Sequence, residues 1–335
     1  MKKFSQIKGK EINGMKKNKR ITKKSVRVIR FFIISLIFIW VAASITILGC
    51  NYLENQNFKE IFYSVSSLKV NNKIRVIQIS DLHNCNFGKD NEKLIRRVQK
   101  LVPDLIIYTG DIIDSNADSE ENVVNLCAKL AKVAPSYYIY GNNEVEKYYD
   151  NLFTQDSLDE KFGFNNDNRD PNKLLEISDS LTEKLTNAGV KVLKNSQDTI
   201  TIGTTNVDIY GVLTSNPSAF WSYGGKGFDD FIFTNENNLK IMAIHEPEVF
   251  ETYTPDTWGD LMLAGHTHGG TARIPIIGPA YTHEGGILPA RNGHYVYGRY
   301  DVEGRPLIVS SGLENTNLFR FNNEPELVIV DINKF

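Results

Sequence analysis

Five short apolar runs, each followed by turn residues and possible metal ligands, constrain what this chain can fold into. The runs have the length of buried strands and are rich in Ile, Val, Leu and Tyr. In an open α/β sheet, the ligand-binding crevice lies beyond the carboxyl ends of the strands. We therefore predict one functional site, at the sheet edge where the runs end. The five runs are residues 74–80, 105–109, 137–140, 241–244 and 261–264.

The residues that follow these runs are types that bind divalent metal ions. Singly, an Asp after a strand is usually a turn or helix-capping residue, and a lone His is often a hydrogen-bonded loop residue. The last run is different, because the segment 265–270 reads Gly-His-Thr-His-Gly-Gly and places two imidazoles beyond one strand. Turn chemistry does not account for all five runs together, so we interpret the set as one metal site. The motif segments that follow the runs are Asp81-Leu82-His83, Gly110-Asp111, Gly141-Asn142-Asn143-Glu144, His245-Glu246-Pro247 and Gly265-His266-Thr267-His268.

Charge is distributed unevenly along the 335 residues, although the net charge is only −2. Residues 1–30 contain 12 basic residues and one acidic residue, a net charge of about +11, and the remainder has 26 basic and 39 acidic residues, about −13. A surface that follows a phosphate backbone should be basic. The acidic remainder therefore argues against a nuclease, while the basic segment itself stays compatible with a nucleic-acid arm.

Residues 31–53 contain no charged residue and predict a transmembrane anchor. About 20 helical residues, at 1.5 Å each, cross a 30 Å hydrocarbon core. The basic segment 1–30 predicts a cytoplasmic N-terminus, so the rest of this single-pass protein would lie outside the cell membrane. Two alternatives remain open, namely a signal peptide cleaved after residues 42–44 and a lipoprotein-type cleavage site before Cys50. We favour the uncleaved anchor.

The three cysteines predict neither a disulfide framework nor a thiolate zinc site, because they are too few and too far apart. A bridge between Cys85 and Cys127 in an exported domain remains open.

The segments between the apolar runs predict a βαβαβ beginning with a parallel sheet. Asp90 is the predicted N-cap of the first helix, and a second helix follows near 123–131. We predict an edge strand at 61–65, an insertion loop at 150–176, a helix at 178–188, antiparallel strands within 190–213, and a second sheet that includes strands near 294–300, 306–310 and 326–332.

The order of these motifs resembles the calcineurin-like metallophosphoesterase superfamily, over residues 57–333. The anchor, the segment 261–270 and Ser310-Ser311-Gly312-Leu313 resemble its membrane-anchored bacterial branch. The resemblance implies an α/β fold, a four-layer αββα sandwich of two mixed sheets, with two metal ions at its edge. By motif position, Asp81, His83 and His268 would hold the first ion. Asn142, His245 and His266 would hold the second, and Asp111 would bridge the two.

The donor atoms agree with this assignment. Carboxylate, imidazole and amide oxygen suit Mn, Fe, Zn or a similar divalent ion. A pair of such ions can activate a water molecule and stabilise both the attacking and the leaving oxygen of an in-line displacement. No Ser or Cys nucleophile is then required.

One position departs from the family pattern, which usually reads Gly-Asn-His followed by an acidic residue. Here Asn143 replaces that histidine, whose expected role is to stabilise the transition state and protonate the leaving group. An amide can donate a hydrogen bond but is not a proton donor near neutral pH. Asn143 and Asp111 are thus the candidate catalytic positions. His283 and His294, the histidines outside the motifs, could substitute spatially, but we favour the interpretation that they are ordinary loop residues.

The sequence therefore predicts a dimetal hydrolase of phosphodiester or phosphoanhydride bonds. A short linker after the anchor favours a phosphate ester of the membrane or envelope, such as a lipid-linked one. The alternative is a metal-binding protein of this fold with weak or no catalysis, because of Asn143.

Overall fold

A computed structural model of the chain describes residues 23–149, 179–212, 235–252, 259–270, 272–282, 285–316 and 320–335. The basic segment up to residue 22, the predicted insertion 150–176 and His283 lie outside the described residues. The chain divides into two units, Met1–Asn51 and Tyr52–Phe335.

The first long element is an apolar helix, α1, at Lys23–Asn55. Its segment Val26–Asn55 reaches a mean hydropathy of 2.6 and is long enough to cross a membrane. The predicted anchor 31–53 lies inside it. Length and composition are the only grounds for a membrane span here, and a signal sequence near an N-terminus meets the same criteria.

The second unit consists mainly of strands, with short helices after the early ones. Among the described residues, its α-helices after α1 are α2 at Glu92–Leu101, α3 at Glu121–Ala131, α4 at Asn142–Tyr149 and α5 at Ser180–Asn187. The strands are β1 Lys59–Ser67, β2 Ile74–Ile79, β3 Leu105–Thr109, β4 Ser136–Ile139, β5 Val190–Leu193, β6 Ser196–Ile202, β7 Thr205–Val212, β8 Leu239–Ile244, β9 Leu261–Ala264, β10 Arg273–Ile274, β11 Gly278–Pro279, β12 Tyr281–Thr282, β13 Gly286–Ile287, β14 Gly298–Val302, β15 Arg305–Val309 and β16 Glu326–Lys334.

Two six-stranded mixed sheets form the body of this unit. The first has the order β1-β16-β2-β3-β4-β5 and the second β14-β15-β9-β8-β7-β6. The strands β2, β3, β4 and β5 are parallel, as are β7, β8, β9 and β15. Two small antiparallel ladders, β10-β11 and β12-β13, stand apart from the sheets. The predicted α/β fold with two mixed sheets is confirmed.

Alternate residues of the central strands face different layers, which explains why the runs are apolar throughout. In β2, Ile77 and Ile79 pack toward α2, α3 and α5, whereas Ile74 and Val76 pack between the sheets. In β9, Leu261 and Leu263 lie between the sheets, and Met262 and Ala264 face the outer side of the second sheet. There the 3-10 turn Pro247–Thr252 contributes Phe250.

Three predictions about local structure need correction or completion. Asp90 is not the helix cap: it has φ 51° inside a 3-10 turn, and α2 begins after Asn91. The last strand, β16, lies in the first sheet between β1 and β2, not in the second. Cys85 and Cys127 are both buried free thiols, so the open question of a bridge is answered against it.

The arrangement brings the strand ends that carry the motifs to one edge. Gln78 of β2 donates from Nε2 to the carbonyl oxygen of Ala264 at the end of β9, over 2.7 Å. His245 after β8 contacts the carbonyl oxygen of Thr109 at the end of β3. The carboxyl ends of parallel strands from both sheets therefore meet, as the sequence predicted.

Candidate dimetal site

Sharp turns at the strand ends aim the motif side chains inward. The backbone is left-handed, with φ between 46° and 73°, at five of the seven predicted ligand positions. For residues other than glycine such dihedrals are uncommon and cost roughly 1–3 kcal/mol each, and they cluster at functional sites. The five residues are Asp81, His83, Asp111, His266 and His268.

The first group of converging side chains is Asp81, His83 and His268. Their ligand atoms all lie within 4.8 Å of one another. His83 Nε2 is 3.2 Å from His268 Nε2, and His268 Nε2 is 3.6 Å from Asp81 Oδ1. This group can hold one metal ion.

The second group is Asp111, His245 and His266, whose ligand atoms also lie within 4.8 Å of one another. His266 Nδ1 is 3.3 Å from His245 Nε2 and 3.0 Å from Asn142 Oδ1. The amide oxygen of Asn142 therefore joins this group. The structure thus brings all seven predicted residues to the same edge.

Asp111 lies between the two groups. Its Oδ2 is 3.7 Å from His83 Nε2 in the first group and 3.3 Å from His245 Nε2 in the second. Burial alone would raise the pKa of Asp111, but the charge and hydrogen bond of His245 and the charge of His83 together hold it below its ordinary value. A carboxylate in this position offers oxygens to both groups.

The residues present fit a pair of divalent cations. Asp81 is fully buried, and its Oδ2 has no hydrogen-bond partner among the described residues. A buried anionic oxygen without a partner is costly unless a cation compensates it. Nitrogen and oxygen donors without thiolates match Mn, Fe or Zn.

Two of the histidines are oriented by partners at their other ring nitrogen. His245 Nδ1 lies 2.7 Å from the Thr109 carbonyl oxygen, an acceptor, so Nδ1 carries the proton and Nε2 faces the site. His268 Nδ1 lies 3.0 Å from Glu314 Oε2. Burial alone would raise the pKa of Glu314, but the hydrogen bond and the charge of His268 lower it to about 2. Such partners fix ring orientation in metal sites.

Glu144 organises the loops that carry Asp111 and Asn142. Its buried carboxylate accepts from Tyr138 Oη at 2.6 Å and from four backbone N–H groups. These N–H groups, at 2.8–3.1 Å, belong to Gly141, Asp111, Ile112 and Ile113. Burial and the neighbouring charge of Asp111 raise the pKa of Glu144.

Asn143, at the departure from the family pattern, is bound to Asp111 rather than free. Its backbone N–H donates to Asp111 Oδ1 over 2.9 Å, and its Nδ2 donates to Oδ2 over 2.6 Å. Its Oδ1 accepts from the backbone N–H of Ser115 over 3.1 Å. Of the alternative histidines, His294 has its Nδ1 3.7 Å from Glu248 Oε1, and His283 lies outside the described residues.

Sequence reasoning missed three contributors to this site: the Thr109 carbonyl, Glu314, and Glu144 as an anchor of two loops. A backbone carbonyl leaves no residue-type signal. Glu314 directly follows the segment 310–313 but is far along the chain from His268. The acidic residue after Asn143 was visible in the motif, yet its five hydrogen bonds depend on the tertiary fold.

Comparison with known proteins decides the family. The family described as "Calcineurin-like phosphoesterase" matches residues 74–270. The chain belongs to this family. It is therefore a hydrolase of the phosphoesterase family, with two His/Asp groups that can hold metal ions. The fold and enzyme class expected from the sequence are confirmed.

Relatives from several bacteria share most of the chain. The uncharacterized metallophosphoesterase YkuE of Bacillus subtilis is 29% identical over 261 residues, 76% of this chain and 77% of the relative. The phosphodiesterase YaeI of Escherichia coli is 23% identical over 288 residues, which are 84% of this chain and 91% of the relative. The UDP-2,3-diacylglucosamine pyrophosphatase LpxG of Chlamydia muridarum is 26% identical over 293 residues, which are 77% of this chain and 83% of the relative.

Glu144→Gln tests the role of the buried carboxylate. The amide nitrogen of Gln cannot accept hydrogen bonds, so buried N–H donors lose a partner, at about 1–3 kcal/mol each. We expect a clear drop in the free energy of unfolding, measured by chemical denaturation of the purified full chain. Glu146→Gln, on the exposed side of the same helix, is the matched control and should change little. Equal stability of the two variants would contradict the role.

Proposed function

We propose that this chain hydrolyses phosphodiester or phosphoanhydride bonds with two divalent metal ions. The observation that carries the proposal is the position of Asp111 Oδ2, 3.7 Å from His83 in one group and 3.3 Å from His245 in the other. Two ligand groups that share a carboxylate suit a pair of ions better than one ion. Asp81, His83 and His268 would hold the first, Asn142, His245 and His266 the second, and Asp111 would bridge.

When bound, such an ion pair supplies Lewis acids for the phosphoryl oxygens and lowers the pKa of a water molecule. The protein's own residues hold this arrangement in place. Thr109 and Glu314 fix the rings of His245 and His268, and Glu144 fixes the backbone around Asp111. Asn143 donates to both oxygens of Asp111 and thereby sets the plane of its carboxylate.

The substrate class we propose is a membrane or envelope phosphoester, such as a lipid-linked one. Two relatives support the bond type, because one is named a phosphodiesterase and another a pyrophosphatase of a diacylated nucleotide sugar. The apolar helix α1 supports the location. As an uncleaved anchor after a basic segment, it would place the second unit outside the cell membrane.

A second candidate function is metal binding with weak or no turnover. Asn143 favours it, because an amide cannot protonate a leaving group. Its Nδ2 and Oδ1 are, moreover, both already hydrogen-bonded within the site.

His266→Ala tests the metal assignment. We expect the full chain, purified and supplied with divalent metal, to contain two ions, and the variant to lose one preferentially together with phosphoester hydrolysis. Metal content is measured by elemental analysis, and hydrolysis with aryl phosphodiesters. His294→Ala is the control and should retain both ions, because His294 faces Glu248. Absence of bound metal from the wild type would refute the assignment.

Asn143→His tests whether a general acid is missing. Such catalysis contributes about 10²–10⁴-fold, and its effect grows as the leaving group becomes more basic. The wild type should show a steep dependence of kcat/KM on leaving-group pKa, and the variant should accelerate alkyl esters more than aryl esters.

The control for Asn143→His is Asn116→His on the exposed neighbouring loop, which should leave the slope unchanged. A shallow dependence in the wild type, or equal effects on both ester classes, would show that another residue supplies the proton. Absence of turnover in the wild type with metal bound would support the second candidate function.

Protease treatment of intact cells tests the proposed topology. An external protease should digest the second unit while a tag at the N-terminus stays protected, since the cytoplasmic segment would be inaccessible. A mature protein that begins near Asn51, or a tag digested in sealed cells, would contradict an uncleaved anchor.

A further inference from the structure

An exposed apolar surface lies directly after the His266 and His268 loop. The ladders β10-β11 and β12-β13 form a meander, because the Ala280 N–H donates to Ala272 O over 2.8 Å and the Leu288 N–H to Ala280 O over 2.9 Å. Ile276 is fully exposed, at 108%, and Ile287 is 76% exposed. We call the exposed apolar side chains of this meander the apolar rim: Ile274, Ile276, Ile277, Tyr281 and Ile287.

The apolar rim is attached to the candidate metal site. A Cβ on Gly270, two residues after His268, would lie 2.7 Å from Pro279 Cβ of β11. Arg273 of β10 donates from Nε to the carbonyl oxygen of Gly269 over 3.2 Å. The meander therefore packs on the loop that carries two of the predicted ligands.

No packing among the described residues accounts for an isoleucine at Ile276. Its φ is 70°, a region where a β-branched side chain is an outlier and where Gly or Asn would be unstrained. It also buries none of its surface. Strain and exposure at one residue argue for a partner outside the described chain.

Charge indicates which partner the apolar rim fits. Residues 272–300 contain three arginines and one acidic residue, whereas the chain after residue 30 has a net charge of about −13. Arg291 is exposed beside the meander and Arg273 stacks 3.5 Å from the Tyr297 ring, whereas the exposed Arg299 is ion-paired with Asp301, just after this span, over 2.9 Å. Exposed Ile with Tyr and Arg is the composition of a surface that enters the interface of an anionic bilayer.

Chain connectivity favours the same partner. Residues 56–58 alone separate α1 from β1, and three extended residues reach about 10 Å at most. The start of β1 lies at the site edge of the first sheet: the Lys59 N–H donates to Pro325 O, the Glu326 N–H to Gly312 O, and the Leu313 N–H to Asp81 O. The segment that leaves α1 thus enters the fold at the edge that carries the site and its apolar rim.

We propose that the apolar rim inserts into the interface of an anionic lipid bilayer and presents the site to phosphoesters there. Docking itself requires neither metal nor turnover; the delivery of substrate rests on the proposed function. The helix α1 limits the distance from the bilayer, and the apolar rim sets which edge faces it.

Lipid-dependent quenching tests the docking. The full chain with Cys50→Ser and Ile276→Cys carries one exposed cysteine among the described residues, because Cys85 and Cys127 are buried. A fluorophore on it is measured in vesicles of phosphatidylglycerol and phosphatidylethanolamine. We expect quenching by spin-labelled lipid and protection from aqueous iodide.

Leu68→Cys in the same background is the matched control. Leu68 is also an exposed aliphatic residue, 83% exposed, and follows β1 at the opposite edge of the sheet. Its label should respond to iodide and not to the lipid quencher. The proposal would be overturned by iodide quenching at both positions or by lipid quenching at both positions. Protection of position 276 from both quenchers would also overturn it and would indicate a protein partner or a second copy of the chain.

Ile276→Asp tests substrate delivery. A charge on the apolar rim should lower kcat/KM for a phosphodiester embedded in vesicles by about tenfold. Activity on a water-soluble aryl phosphodiester should not change, and Leu68→Asp should change neither. An equal loss on both substrates, or no loss on either, would refute delivery. Absence of all hydrolysis by the wild type would refute the proposed function and leave the quenching result to decide docking.

Discussion

The left-handed backbone at the strand ends is the constraint on which the candidate site depends. If a strand continued in an ordinary extended conformation, its next side chain would lie beyond the sheet edge. The left-handed turns at Asp81, Asp111 and His266 instead direct these side chains back over the sheet edge. This strain persists because the surroundings leave no alternative. A Cβ on Gly110 would lie 2.6 Å from Gly141 N, and one on Gly265 would lie 2.5 Å from Asp81 Oδ2. The tight packing of the strand ends thus stabilises geometry that no single turn would adopt alone.

Three buried carboxylates meet at this edge, and each is compensated differently. Glu144 is surrounded by backbone N–H donors and Tyr138, so hydrogen bonds replace its solvation. Asp111 accepts hydrogen bonds from Asn143 at both carboxylate oxygens, and His245 lies nearby. Among the described residues, Asp81 accepts a hydrogen bond only at Oδ1, from the His266 N–H, and its Oδ2 has no partner. This gradation from complete to incomplete compensation distinguishes a structural carboxylate from those suited to a cation.

The features that could be predicted from the sequence are those that depend on the local pattern of residues. Apolar runs that end in Asp, His and Asn gave the strands and the seven residues at one edge, because strand polarity and sheet edge are linked. Long-range pairing was not predictable: β16 reads as an ordinary strand, and only the fold shows that it lies between β1 and β2. The two-residue ladders β10 to β13 are too short for any periodicity. Asp90 had the right residue type for a cap, but the turn before α2 placed it elsewhere.

The position of β16 has a consequence for biosynthesis. In the described sheet β1 pairs only with β16, in parallel register from Lys59 with Glu326 to Ser67 with Lys334. The strand nearest the N-terminal helix therefore has no partner in the described sheet until β16, at Glu326–Lys334, has left the ribosome. Non-local pairing of this kind is slow, because a long loop must close before any contact forms. A chain that is translocated as it is made would complete its first sheet only after β16 has emerged on the far side of the membrane.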